Sequence, residues 1–315
     1  MPFIRPDVAN LLAMLAAQPG PKMEEGDAPT ARAMMTVMGQ MVEAPRSEIA
    51  DRRDILIPRS SPGPIPARLY RADLSDAPAP VLVFYHGGGW VIGDLDVYDS
   101  LCAEIAGVLG MTVVSVDYRL APEHAFPAAA EDCLAATAWV TNSPAEIGHP
   151  VTGIVPAGDS AGGNLAAIVC QEQHGRLPVP ILAQWLIYPG VDMTANTGSM
   201  VDFADGYLLT GGGMAWFTLH YMGSQDLTNL RASPLFADLA GQPPALVYTC
   251  SLDPLRDQGR AYAAKLIAAG VPTVFREAKG QIHGSITLRG ALPSAQADLL
   301  GSLAALKLMI AQSLA

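Results

Sequence analysis

The chain has 315 residues, half of them apolar, enough for one large α/β domain or two small ones with a substantial core. A formal charge of −11 excludes the clustered basic face that nucleic acid or a stable association with an anionic membrane requires. Cys102, Cys133, Cys170 and Cys250 stand apart, with neither CxxC nor Cys/His ligand spacing, which predicts small core residues in a reducing compartment and no zinc site or disulfide framework.

In chain order, the N-terminus shows no basic region leading into an apolar run, and no stretch approaches the roughly 20 apolar residues of a membrane span, so a cytoplasmic protein is expected. Helical segments are predicted around residues 8–15 and 31–41, separated by a Pro/Gly/Glu-rich stretch at 19–29. Met34, Met38 and Met41 share one helical face, which fits either core packing or an adaptable lid over an apolar pocket. Extended pieces at 55–58 and 65–70 flank turn residues and read as an antiparallel start to a sheet. The pattern then alternates: strands at 81–85, 111–116, 154–155, 182–188, 245–250 and 273–275, with helices at 101–109, 128–140 and 164–170. Strands that are apolar throughout, with helices between them, predict a parallel sheet covered on both faces. Pro156 would remove a ladder hydrogen bond from its strand, so a local bulge is expected there. Residues 192–233 break the rhythm and read as a helical insertion above the strand ends.

Two stretches carry chemistry. Gly158-Asp159-Ser160-Ala161-Gly162-Gly163 lies between an apolar run and a helix-prone one, the strand, sharp turn and helix of a GxSxG nucleophile elbow. Such a pattern also arises by chance in Gly/Ala-rich loops, so its reading depends on the rest of the chain. His86-Gly87-Gly88-Gly89-Trp90 follows the strand ending at Tyr85, and its bare backbone can point N–H groups at a ligand oxygen. A tight turn or a weak phosphate loop are the alternatives, and no GK[ST] supports a nucleotide.

These two stretches, together with Asp117-Tyr118-Arg119-Leu120-Ala121-Pro122-Glu123, Phe126-Pro127-Ala128-Ala129 and Asp253-Pro254-Leu255-Arg256-Asp257, resemble the hormone-sensitive-lipase-like branch of the α/β-hydrolases, the bacterial family IV carboxylesterases with an HGGG motif. The resemblance spans roughly residues 55–310, with its motifs in family order. It implies an α/β-hydrolase fold with a mostly parallel eight-stranded sheet flanked by helices. It also implies cap helices in residues 1–50, a catalytic domain over 51–315 and a cap insertion at about 192–232. Family members often form homodimers through the last strand or its helix.

In this fold the triad runs Ser, then Asp or Glu, then His. His86, His124 and His149 precede Ser160, His174 lies shortly after it, and His220 sits in the presumed cap; His283 alone follows the candidate acids. Asp253 comes directly off a strand, whereas Asp257 falls near a helical first turn where acids are commonly structural; the resemblance assigns Asp253. The expected roles are Ser160 as nucleophile, His283 as base and Asp253 as orienting acid. Gly88, Gly89 and Ala161 would donate to the oxyanion, Asp159 would support loops and His86 would brace the glycine loop. The expected activity is hydrolysis of small-molecule esters of short to medium acyl chain, with no metal or organic cofactor. The same scaffold also resembles plant gibberellin receptors that bind without hydrolysis, and the same triad serves lactones, amides or carbonates. Two departures loosen the substrate inference: Ser285 where relatives often carry a bulky aromatic, and Gly211-Gly212-Gly213 in the second cap segment.

Overall fold

Each apolar run of the sequence becomes a strand of a single sheet in the computed structural model, which describes residues 2–17, 20, 22–59 and 61–315. Pro19 and Pro21 of the predicted Pro/Gly/Glu-rich stretch lie outside the described residues. Helices α1 (Pro6–Ala17) and α2 (Ala28–Val42) come first, α2 starting on Asp27, whose carboxylate accepts from Thr30 N at 2.9 Å. Strands β1 (Asp51–Ile57) and β2 (Ile65–Arg71) form the predicted antiparallel pair. Then follow β3 (Ala79–Tyr85), α3 (Asp99–Leu109), β4 (Thr112–Val116), α4 (Ala128–Val140), β5 (Val151–Asp159), α5 (Ala161–Gln173) and β6 (Gln184–Ile187). Helices α6 (Ser199–Asp202) and α7 (Gly211–Met222) lie in the insertion. The chain closes with β7 (Ala245–Leu252), α8 (Arg256–Ala268), β8 (Thr273–Ile282) and α9 (Pro293–Leu314).

The sheet order is β1-β2-β4-β3-β5-β6-β7-β8, antiparallel at β1, β2 and their junction with β4 and parallel elsewhere. One face packs on α4, α5 and α8 through Cys133, Leu165 and Leu266, the other on α3 and α9 through Ile105, Leu303 and Leu306. Both faces of the inner strands are therefore dry, which is why they read as unbroken apolar runs. Strand β8 runs to Ile282, well past the predicted 273–275. It is an edge strand, and Arg276, Glu277 and Lys279 give it no apolar signature; Glu277 is instead paired with Arg260.

Pro156 is accommodated differently from expectation. The ladder from β5 to β3 runs unbroken from Val81↔Ile154 to Tyr85↔Gly158, so the proline strand itself has no bulge there. Ile154 turns its N–H and C=O toward residues 180–182, and strand alternation turns the Pro156 nitrogen the same way. On that side the extra residue sits in the neighbouring chain: Ile154 pairs with Ile181, but Ala157 pairs with Trp185. The missing donor is thus met by a bulge in the partner. Contrary to expectation, α9 is long and apolar enough to cross a membrane by length and composition. Its Leu299, Leu303, Leu306, Met309 and Ile310 are buried in the core against the sheet.

The predicted cap segments meet above the carboxyl ends of the strands. Arg32 of α2 donates to Val91 O (2.8 Å) and Ala121 O (2.9 Å) and pairs with Glu123. Val8 and Leu11 of α1 pack with Phe203, Ile282 and Leu288. The triple glycine begins α7, capped by Thr210, whose hydroxyl accepts from Gly213 N at 2.9 Å. The Glu24 carboxylate lies against Gly212, 2.6 Å from where a Cβ would stand, so the N-terminal segment meets the insertion here.

Candidate active site

Strand β5 ends at Asp159 and α5 begins at Ala161, leaving Ser160 alone to make the turn. Its φ of 56° and ψ of −116° are strained for a residue with a side chain, and its N–H is tied to Ile187 O at 2.8 Å. Two glycines make that turn possible. A Cβ on Gly158 would lie 2.4 Å from Gly162 O, and one on Gly162 would lie 1.9 Å from Tyr85 O. The pairing of Tyr85 with Gly158 then sets the loop after β3 directly beside the serine.

In that loop Gly88 has φ 111° and Gly89 φ 59°, conformations that glycine alone adopts readily. The N–H groups of Gly88, Gly89 and Ala161 take no acceptor among the described residues. Gly87 N, by contrast, donates to Asp159 Oδ1 (2.8 Å) and to the Tyr98 hydroxyl (3.0 Å). Tyr98 and Tyr188 hydroxyls donate to Asp159 Oδ2 at 3.1 and 3.4 Å. Asp159 therefore bolts the Ser160 turn to the glycine loop. Burial pushes its carboxyl up to about 6, against the pull of the nearby His283 imidazole and of these donors. His86 is fully buried, stacks on Tyr118 with ring centroids 4.3 Å apart, and donates from Nδ1 to Gly87 O at 2.7 Å. Burial drives its imidazole down to about 4, so it stays neutral and braces the loop.

Strand β7 delivers Asp253 and β8 delivers His283, each immediately beyond its strand. His283 Nδ1 donates to Asp253 Oδ2 at 2.8 Å, and the Ser160 hydroxyl donates to His283 Nε2 at 2.9 Å. Asp253 is fully buried and its Oδ1 accepts from Leu255 N at 2.8 Å, which fixes the carboxylate. An imidazole so held can take the serine proton while the carboxylate stabilises its cation. Asp257 lies elsewhere: it accepts from Ser199 N and pairs with Arg256 and Arg260, and its hydrogen bond from Arg256 holds it below the usual carboxylate range. Of the other histidines, His149 bonds Thr112 and His220 bonds Trp216 O.

A family model for the alpha/beta hydrolase fold matches residues 82–287. The chain belongs to the α/β-hydrolase family. It is 42% identical over 273 residues to the carboxylic ester hydrolase LipN of Mycobacterium tuberculosis, covering 84% of this chain and 72% of that one. With the carboxylesterase NlhH of the same organism it shares 38% identity over 77% of this chain and 78% of that one. Among solved structures, an ester-hydrolase from the metagenome of Lake Arreo, complexed with a bipyridine phosphonate derivative, superimposes with a TM-score of 0.92. That pair is 36% identical over 98% of this chain and 99% of the other. A hyperthermophilic esterase from Pyrobaculum calidifontis gives 0.90, at 39% identity and the same coverage.

In this α/β-hydrolase a cavity of about 590 Å³ opens onto Ser160, His283, Gly88, Gly89 and Ala161. Seven methionines line it: Met23, Met34, Met35 and Met38 from the N-terminal segment, and Met193, Met200 and Met214 from the insertion. Of the three methionines expected to share a face, Met34 and Met38, each 37% exposed, line the cavity, whereas Met41, off the cavity and 80% exposed, fits neither alternative. Ser285, the departure at a position where relatives often carry a bulky aromatic, is not among the residues that line the cavity. It is fully buried and turned toward Cys250 Sγ at 3.5 Å. Three contributors escaped the sequence reading. Tyr98 and Tyr188 hold Asp159, and Tyr188 also lays its ring 4.6 Å from that of His283; an aromatic at the end of β6 was the only signal for it. Phe217 of α7 is the third, its ring so close that a Cβ on Gly89 would lie 2.2 Å from it.

Proposed function

We propose that the chain is a serine carboxylesterase that hydrolyses esters of short to medium acyl chain through an acyl-enzyme. The observation that carries this reading is the hydrogen-bonded run from Asp253 through His283 to Ser160, beside three backbone N–H groups with no acceptor among the described residues. His283 removes the Ser160 proton as the oxygen attacks the ester carbonyl, and Asp253 holds the imidazole in the productive tautomer. The oxyanion is received by the N–H groups of Gly88, Gly89 and Ala161, each such donor contributing about 2.7–4 kcal/mol. His283 then protonates the departing alcohol, and water, activated by the same imidazole, releases the acid. Side chains and backbone amides serve every step without a cofactor.

The substrate range follows from the cavity, whose volume lies within the roughly 300–1,000 Å³ that encloses a drug-sized ligand. Residues 1–50 and about 192–232 act as its cap in this reading. Four free, buried cysteines suit the reducing cytoplasm, where we place the protein. Strand β8 is an open edge that exposes Val274 and Phe275, and pairing of two copies along it is the assembly to test by light scattering.

Hydrolysis of p-nitrophenyl acetate, butyrate and palmitate by the intact protein and by Ser160→Ala tests the assignment. We expect turnover of the first two far above palmitate, and a loss of roughly 10⁶-fold in the variant. Equal rates in both proteins would overturn it.

A further inference from the structure

Among the described residues, Met14 and Met41 are exposed away from the cavity, and the other methionines divide by position. All seven that line the cavity are at least partly exposed, whereas Met111, Met222 and Met309, away from it, are buried. The thiols show the opposite distribution. All four cysteines are free and buried, and burial raises each thiol above its ordinary range, so none offers a thiolate at neutral pH. Sulfur that an oxidant in solution can reach is therefore thioether sulfur, most of it on the wall of the substrate cavity.

We propose that the cavity methionines, led by Met34 and Met38, are a modification site at which peroxide narrows the range of esters the enzyme accepts. Each thioether gives an electron pair to one oxygen of hydrogen peroxide, forming the S–O bond as the O–O bond breaks. The proton left on the new oxygen passes to the departing hydroxide, so sulfur is oxidised by two electrons and the peroxide is reduced to water. The sulfoxide replaces an adaptable apolar surface with a strong dipole. Esters that bury a long acyl chain against this wall lose binding. Acetate esters, whose acyl group stays near Ser160 and the glycine loop, lose little. Reversal falls to methionine sulfoxide reductases, one for each epimer.

The proposal rests on the esterase reading for its kinetic readout and on peptide mapping for the chemistry. The intact protein is treated with hydrogen peroxide and mapped by mass spectrometry. It is then assayed on p-nitrophenyl acetate and hexanoate before treatment, after it, and after incubation with both reductases. We expect sulfoxide at Met34 and Met38, a fall of about tenfold in kcat/KM for hexanoate carried by KM, a change under twofold for acetate, and recovery on reduction. Met34→Leu/Met38→Leu, scored against its own untreated rates, should keep most of its hexanoate-to-acetate ratio; Met41→Leu should lose it as the parent does. Sulfoxide confined to Met14 and Met41, an unchanged ratio despite sulfoxide at Met34 and Met38, or equal loss in the double variant would each overturn the proposal. If that variant does not fold, the map and the reductase recovery decide alone. Absence of ester turnover before treatment would instead count against the esterase reading, with the map still reporting where oxygen is added.

Discussion

At the floor of the cavity, backbone meets backbone. Gly158 and Gly162 bring β5, α5 and the end of β3 within contact of one another, Ser160 is held at a positive φ, and the carboxylates of Asp159 and Asp253 are buried and hydrogen-bonded. At the roof, side chain meets side chain: flexible thioethers from the N-terminal segment and from residues 193–214, Met34 and Met38 more than a third exposed, with Arg32 tying α2 to the loops below. Chemistry needs atoms fixed to within a fraction of an ångström, which rigid backbone supplies, whereas acceptance of varied acyl groups needs a surface that can repack. The contrast predicts that the two regions respond differently to the same kind of change.

The largest effect is expected at the floor. Gly162→Ala would place its Cβ 1.9 Å from Tyr85 O, a clash between main chains that no rotamer relieves. We expect a loss of roughly 3 kcal/mol or more in chemical denaturation, together with most activity. A variant as stable as the parent would show the floor to be as adaptable as the roof.

Next in size is the pH response of Asp159. Its folded value of about 6 lies above the ordinary value of about 3.9, so the folded protein keeps a proton that the unfolded chain has lost between those pH values. The stabilisation from that proton is fully present below about pH 4 and is lost as pH rises through 6. Asp159→Asn cannot titrate. Measured from pH 4 to pH 8, its stability relative to the parent should therefore rise by up to about 3 kcal/mol. A flat difference would mean that the carboxyl is not held in a dry setting.

Smaller effects belong to the roof. Phe217→Leu removes the ring over Gly89 and should shift the hexanoate-to-acetate ratio of kcat/KM by about tenfold toward the longer ester. A proportional loss on both esters would move Phe217 from the selectivity wall to the support of the oxyanion loop. Smallest is Gly39→Ala in α2, where a Cβ would meet Val97 at an ordinary 3.7 Å. Removing a helix-interior glycine there should stabilise the protein by about 1 kcal/mol, read as a rise in Tm.

Much of this molecule is legible in one dimension. Inner strands buried on both faces must be apolar along their whole length, so β3, β4, β5 and β7 announce themselves, and glycines at 158, 162, 88 and 89 mark turns that tolerate no side chain. The order Ser160, Asp253, His283 follows from a chain that returns to the same sheet edge after successive strands. What the sequence left open depends on contacts between residues far apart along it. The choice of Asp253 over Asp257 is a matter of which carboxylate faces Nδ1 of an imidazole thirty residues away. The extent of β8 escaped because an edge strand carries no burial pattern, and the bulge opposite Pro156 moved to a neighbouring strand because a missing donor can be met from either side. Ser285 faces Cys250, and Met34 and Met38 face the cavity while Met41 does not, for the same reason: a side chain's neighbours are set by packing across elements, to which composition and spacing are blind.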